Sequence, residues 1–175
     1  MTDRYRYARI FSFFLPPIMD YNEFKYKYEW KFIDYTTPKS YRCVDLVKQI
    51  LQDCYALGKI LAMWDAVDYL TTVPEKYPQF RYFLSNDKQL SPGDIMVADK
   101  MWLKRKDGTM TWHIAIFDSY GPITKWVPTI NVLEQNGVGG TNGNAWPGNQ
   151  VRIKNYPLSR FPYFLTDKEL RPINE

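Results

Sequence analysis

Histidine and cysteine are scarce in this chain, which has one histidine and two cysteines in 175 residues. A structural zinc site usually takes four such side chains, so three leave it incomplete. Cys54 follows Cys43 by 11 residues. If both lie on one helix, a rise of about 1.5 Å per residue holds them roughly 16 Å apart. A disulfide needs Cα atoms within about 7 Å, so we expect two free thiols.

A long hydrophobic run is also missing. The apolar stretch at residues 10–19 is too short to span a bilayer, and Pro16 and Pro17 interrupt it. No small-residue cleavage site follows, so the stretch does not have the pattern of a signal peptide. We therefore expect no membrane insertion and interpret the stretch as an extension packed on the domain.

Positive charges exceed negative charges only slightly, with a net charge of +4. The chain is 45% hydrophobic and 17% aromatic. This composition is typical of one folded domain rather than of a disordered chain. A small basic excess suits contact with an acidic polymer such as a bacterial wall. No basic cluster with a nucleic-acid reading motif accompanies it, so we expect no nucleic-acid partner.

The N-terminal part, residues 1–37, is rich in tyrosine, phenylalanine and lysine. Within it, residues 24–32 alternate strictly between aromatic and charged side chains, which predicts a half-buried strand. We interpret residues 1–37 as an aromatic arm packed on the domain and residues 38–175 as the domain that carries the chemistry.

Helical spacing follows the arm. A helix is predicted over residues 40–56, with Ser40 as its N-cap, and a second over residues 60–70, before a loop at residues 71–90. The first helix has apolar residues at helical spacing, namely Cys43, Leu46, Val47 and Ile50.

Short strands are predicted in the second half of the chain, where turn signals are frequent. Helices followed by strands indicate an α+β fold, with N-terminal helices packed on a small antiparallel β-sheet. The glycine-rich residues 137–148 are predicted to be a loop. The expected strands are Ile95–Ala98, Trp112–Phe117, Thr129–Gln135, Gln150–Ile153 and Pro162–Leu165.

Cys43 is the candidate nucleophile. It is predicted to open a helix, where unpaired backbone N–H groups and the positive end of the helix dipole favour a thiolate over a thiol. His113 begins one predicted strand and Glu134 ends the next, so the three side chains can converge at one end of the sheet. The alternatives are a small buried core cysteine, a structural histidine and a solvated carboxylate.

Four short motifs in this order resemble those of the CHAP domain, the cysteine, histidine-dependent amidohydrolase/peptidase family. The resemblance covers roughly residues 40–172, and the segments Trp64–Ala66 and Leu170–Pro172 also resemble the family pattern. The four motifs are Cys43–Val47, Leu90–Ile95, His113–Ile116 and Leu133–Asn136.

The resemblance implies a papain-like α+β fold that cleaves peptidoglycan. Cys43 matches the family's nucleophile, His113 its base and Glu134 its third residue, while Asn136 matches a further polar position of the site. Two neighbours of the site depart from the pattern. Arg42 stands where the family usually has glutamine, which puts the oxyanion donors in doubt, and Trp112 stands in place of glycine, where its ring would narrow the cleft or stack on substrate.

We therefore expect a cysteine amidase or endopeptidase that acts on the bacterial cell wall. Without a wall-binding repeat, the chain resembles a phage lysin, a virion component or a delivered toxin. It would reside in a phage virion, or in the host cytoplasm before delivery to the wall, and its partners would be peptidoglycan and other virion proteins. The alternative is a catalytically inactive CHAP-like protein that is structural or binds the wall.

Calcium is the cofactor to consider, because some CHAP domains bind it through acidic residues near the cysteine. Asp34 and Asp45 match two such positions, but Thr36 stands where another aspartate is expected. Asp45 could equally be an acidic residue in the first turn of a helix. We expect no cofactor.

EDTA is therefore expected to leave most hydrolytic activity in place, because the acidic ligand set is incomplete. The measurement is the rate of peptidoglycan hydrolysis before and after chelation. Loss of activity on chelation and its return with added calcium would contradict this expectation.

Overall fold

The computed structural model of the chain describes residues 19–35, 42–57, 66–86, 89–104, 110–135 and 150–167. None of the helices in these residues is long and apolar enough to cross a membrane. In chain order the elements are α1 (Tyr21–Tyr28), α2 (Cys43–Asp53), α3 (Asp68–Lys76), β1 (Phe80–Leu84), β2 (Ile95–Lys104), β3 (Met110–Tyr120), β4 (Thr129–Glu134), β5 (Arg152–Pro157), a 3-10 turn (Leu158–Arg160) and β6 (Tyr163–Asp167).

The six strands form one antiparallel sheet in the order β1-β6-β2-β3-β4-β5. The sheet and the helices together confirm the predicted α+β class. Strands β2, β3, β4 and β5 lie side by side in the sheet in the same order as in the sequence, whereas β6 lies between β1 and β2. Strands β3 and β4, which carry His113 and Glu134, are adjacent.

Both faces of the sheet are buried, because successive side chains of a strand point to opposite faces. Along β3, Ile114 and Ile116 face the first core, between the sheet and the helices. Ala115 and Phe117 point into a second core on the other side. This second core is closed partly by Phe161, which follows the 3-10 turn.

Helix α2 begins at Cys43, later than predicted. The predicted N-cap Ser40 is wrong, since Arg42 holds that position. The carboxylate of Asp45 accepts a hydrogen bond from the Arg42 backbone N–H, with Asp45 Oδ2 at 2.9 Å, which is one half of a capping box. The helix ends at Asp53, so Cys54 lies just beyond it. Both thiols are free, as predicted.

The strand predicted over residues 24–32 is wrong, because most of that stretch belongs to helix α1. Asp20 and Glu23 form a reciprocal capping box that starts the helix, with distances of 2.9 and 3.1 Å. Alternating aromatics also place Phe24 and Tyr28 four residues apart, which is helical spacing. Their rings pack with centroids 4.7 Å apart, and Phe24 is fully buried in the first core.

Two further boundaries were predicted incorrectly. Of the helix predicted over residues 60–70, residues 60–65 lie outside the described residues, and the described part is helical only from Asp68, where α3 begins. This helix continues past residue 70 to Lys76, with Pro74 in its last turn. The predicted loop at residues 71–90 contains the end of α3 and strand β1. Strand β1 pairs with β6, the last strand of the described chain. Because this partner is distant in the sequence, the pairing leaves no local pattern that would predict the strand.

Phe24→Ala is expected to lower the free energy of unfolding by about 3–5 kcal/mol, because it removes a fully buried aromatic side chain. Tyr26→Ala is the matched control, since Tyr26 lies on the same helix and is 91% exposed. The control should change stability by no more than about 0.5 kcal/mol. Urea unfolding measures both. Equal stability of the two variants would mean that α1 is not part of the cooperative core.

Candidate active site

Cys43 is the first residue of helix α2 and is half-buried. Its own face of the helix fixes its position, since Leu46, Val47 and Ile50 on that face are fully buried in the first core. The N–H groups of a first helical turn have no acceptor within the helix, so they give this end of α2 a positive potential beside the thiol.

His113 lies on β3, on the side of the strand that faces the second core, and is 2% exposed. Its Nε2 lies 3.0 Å from Oε2 of Glu134. The ring also makes a hydrogen bond with the side chain of Cys43. The imidazole therefore links the thiol on the helix to the carboxylate on the neighbouring strand.

Glu134 is the last residue of β4 and is fully buried. Its Oε2 accepts a hydrogen bond from the Tyr156 hydroxyl at 3.0 Å in addition to the bond with His113. Lys154 Nζ lies 3.8 Å from Oε1. Both partners come from β5, which neighbours β4. The Tyr156 hydroxyl holds the carboxylate in place, and the charge of Lys154 offsets part of the cost of its burial, although Oε1 has no hydrogen-bond partner among the described residues.

Tyr156 and Lys154 were not found from the sequence. The strand predicted at residues 150–153 ends before both of them, whereas β5 runs over Arg152–Pro157. A strand extended to Pro157 would have placed these two residues on the same face, because they are two positions apart. That alternation is the signal that could have identified them.

Protonation of His113 is favoured by its partners. Burial alone would lower its pKa, but the hydrogen bonds with Cys43 and Glu134, and the negative charges of those groups, outweigh burial. The net result raises the pKa of His113 to about 9. At neutral pH the ring is then an imidazolium that donates Nε2–H to Glu134.

Cys54 differs from Cys43 in its surroundings. Burial raises the pKa of the Cys54 thiol to about 12, and the nearby carboxylates of Asp53, Asp20 and Glu23 add to the effect. Cys54 therefore stays a neutral thiol at physiological pH, which makes it a poor nucleophile.

The remaining predicted site residues are placed only in part. Trp112 is half-buried on the first-core side of β3, opposite to His113, and its ring packs on Tyr163 with centroids 6.5 Å apart. Its contact with substrate stays a prediction. Asn136 lies outside the described residues.

Asp45, one of the candidate calcium ligands, lies in the first turn of α2, where its carboxylate caps the helix. Of the other two positions, Asp34 is described and Thr36 is not. The described part of the chain has no group of three or more His, Cys, Asp or Glu side chains arranged to hold a metal ion. The response to EDTA stays a prediction.

The cluster brings together the three kinds of group that cysteine-based hydrolysis requires. A thiol opens a helix, a buried imidazole contacts it, and a buried carboxylate orients the imidazole. Comparison of the chain with models of known protein families finds no match. Comparison with curated proteins finds none either.

The imidazole signals of the only histidine are expected to titrate with a midpoint of about pH 9. Because this pKa is raised, protonation of His113 stabilises the fold fully below about pH 6.5, and the contribution is lost as pH rises through about 9. Cys43→Ala and Glu134→Gln should each lower the midpoint, since Cys43→Ala removes a hydrogen-bonding partner and Glu134→Gln removes a negative charge while keeping an acceptor for Nε2–H.

Nuclear magnetic resonance follows this titration, and the signal needs no assignment because the chain has one histidine. Cys54→Ser is the matched control and should leave the midpoint unchanged. A midpoint near 6.5 in the unmodified protein would contradict the geometry of the cluster.

Proposed function

We propose that the protein is a CHAP-type cysteine amidase or endopeptidase that hydrolyses amide or peptide bonds of bacterial peptidoglycan. The observation that carries the proposal is the contact of a helix-opening thiol, Cys43, with the buried His113–Glu134 pair. The motifs that resemble the CHAP family are those that supply these three residues.

In this mechanism the thiolate of Cys43 attacks the carbonyl carbon of the scissile bond. The imidazolium of His113 gives its proton to the leaving amine, and a thioester remains on the cysteine. The neutral imidazole then takes a proton from water, which cleaves the thioester. Glu134 keeps the ring oriented and stabilises its positive charge in both steps.

The arrangement of elements supports a papain-like fold. The nucleophile stands at the start of a helix that packs on one face of an antiparallel sheet. Two adjacent strands of that sheet carry the base and the orienting carboxylate. The thiol and the imidazole thus come from different layers and meet where the helix begins.

Peptidoglycan is the proposed substrate because the resemblance points to the cell wall and the chain has a net charge of +4. The setting that we propose is a phage lysin or a virion-associated enzyme, whose partners are the bacterial wall and neighbouring virion proteins. Nothing in this mechanism calls for a cofactor.

An inactive wall-binding protein with the same fold is the second candidate. Arg42 and Trp112 favour it, because both stand beside the nucleophile or the base where the family usually has other residues. This candidate differs from the first in one measurable property, since it binds peptidoglycan without releasing fragments.

Cys43→Ser is expected to reduce the release of fragments from purified peptidoglycan by at least about 10³-fold, because it removes the nucleophile. Cys54→Ser is the matched control and should keep nearly full activity. Mass spectrometry of the digest measures both and identifies the bond that is cut. Binding without release by the unmodified protein would favour the second candidate, and equal loss in two folded variants would refute the role of Cys43.

A further inference from the structure

The side chain of Gln135 joins three segments of the chain. It follows Glu134 at the end of β4 and is fully buried. Its Oε1 accepts a hydrogen bond from the backbone N–H of Ile33 at 2.8 Å. Its Nε2 donates to the carbonyl oxygen of Ile33 at 2.7 Å and to that of Arg42 at 3.1 Å.

The chemistry of these partners fixes the orientation of the amide. One partner is an N–H donor and the other two are carbonyl acceptors, so only one assignment of Oε1 and Nε2 satisfies all three. A buried amide with three such bonds has little freedom to move. Gln135 therefore acts as a rigid link between the end of β4 and the residue that precedes Cys43.

The carbonyl of Arg42 and the N–H of Cys43 belong to the same peptide group. The described chain contains no cis peptide bond, so these two groups point in opposite directions. The Arg42 carbonyl also accepts the N–H of Asp45 at 3.0 Å. Because Gln135 and Asp45 hold the carbonyl, they also set the direction in which the Cys43 N–H points.

We propose that Gln135 is a positioning residue that aims the backbone N–H of Cys43 at the oxyanion formed during acyl transfer. This inference rests on the proposed function. When the Cys43 sulfur bonds to the carbonyl carbon, the π electrons of that carbonyl move to its oxygen. The Cys43 N–H donates to this oxyanion until the carbonyl re-forms and the leaving amine departs with the proton of His113.

Two consequences follow from the hydrogen bonds to the Arg42 carbonyl. They polarise the shared peptide group, which makes the Cys43 N–H a better donor. They also fix the direction of a backbone donor, the Cys43 N–H, beside Arg42, which stands where CHAP domains usually have a glutamine. Glu134 orients the base while Gln135 orients the oxyanion donor, so adjacent residues of one strand end serve both halves of the reaction.

The test compares two reactions of Cys43, with Cys54 replaced by serine in every protein. Acylation by p-nitrophenyl acetate forms an oxyanion, whereas alkylation by iodoacetamide does not. Gln135→Met keeps the side-chain length but removes all three hydrogen bonds. We expect it to slow acylation about 10- to 100-fold, somewhat less than deletion of an oxyanion donor. Alkylation at neutral pH should stay within about twofold of the parent rate.

The matched control is Gln52→Leu. It removes the hydrogen bond from the Tyr35 hydroxyl to Gln52 Oε1, 2.7 Å long, and so loosens the same N-terminal segment without touching Arg42. Both rates should stay at the parent level. Gln135→Glu is the second variant, since it keeps an acceptor for Ile33 N–H but cannot donate to Arg42 when ionised. It should show the same selective loss.

Equal slowing of both reactions would mean that Gln135 only keeps the site ordered, and it would overturn the proposal. Unchanged acylation in both Gln135 variants would also overturn it. Circular dichroism checks that the variants are folded, and loss of the folded state in both would overturn the proposal too, because the role of Gln135 would then be structural. A parent protein that is acylated at Cys43 but releases no fragments from peptidoglycan would refute the proposed function alone. No acylation of Cys43 would refute both.

Discussion

The register between β3 and β4 is the constraint on which the site depends. Ile116 lies opposite Leu133, and the antiparallel pairing continued from there puts Glu134 opposite Ala115. His113 is then a diagonal neighbour of Glu134 on the same face, which is within reach of its long side chain. A slip of one residue would move Glu134 to the opposite face and separate the carboxylate from the ring.

A bulge in the same strand pair positions the N-terminal helix. Phe117 pairs with Val132 and Ser119 with Asn131, so Asp118 is an extra residue on β3. Its carboxylate accepts hydrogen bonds from the Tyr21 hydroxyl at 2.9 Å and from Lys25 Nζ at 2.7 Å. The far end of α1 is held in a similar way, because the Tyr28 hydroxyl donates to Asp53 at 2.7 Å.

Local patterns predicted the parts of the molecule that local forces determine. Helical spacing around Cys43 identified α2, and the succession of helices and strands indicated the α+β class. The alternation near Phe24 predicted the wrong element, since aromatics at every second position also repeat at every fourth. The link to Tyr156 was missed because the predicted strand ended at residue 153, before β5 ends. The bonds of Gln135 could not be predicted, because they join segments that are distant in the sequence. Asp118 shows the same limit, as its role follows from a bulge that has no signal of its own in the sequence.

The bond between Ile33 and Gln135 also governs the order in which the site can form. These residues are 102 positions apart, so the contact closes a very long loop and depends on segments made at different times during synthesis. The thiol of Cys43 is made early, while its imidazole, its carboxylate and Gln135 come much later. A ribosome-bound chain therefore carries an unsupported cysteine until β4 and β5 have emerged. The cluster of Cys43, His113 and Glu134 can therefore form only after β4 and β5 have been made.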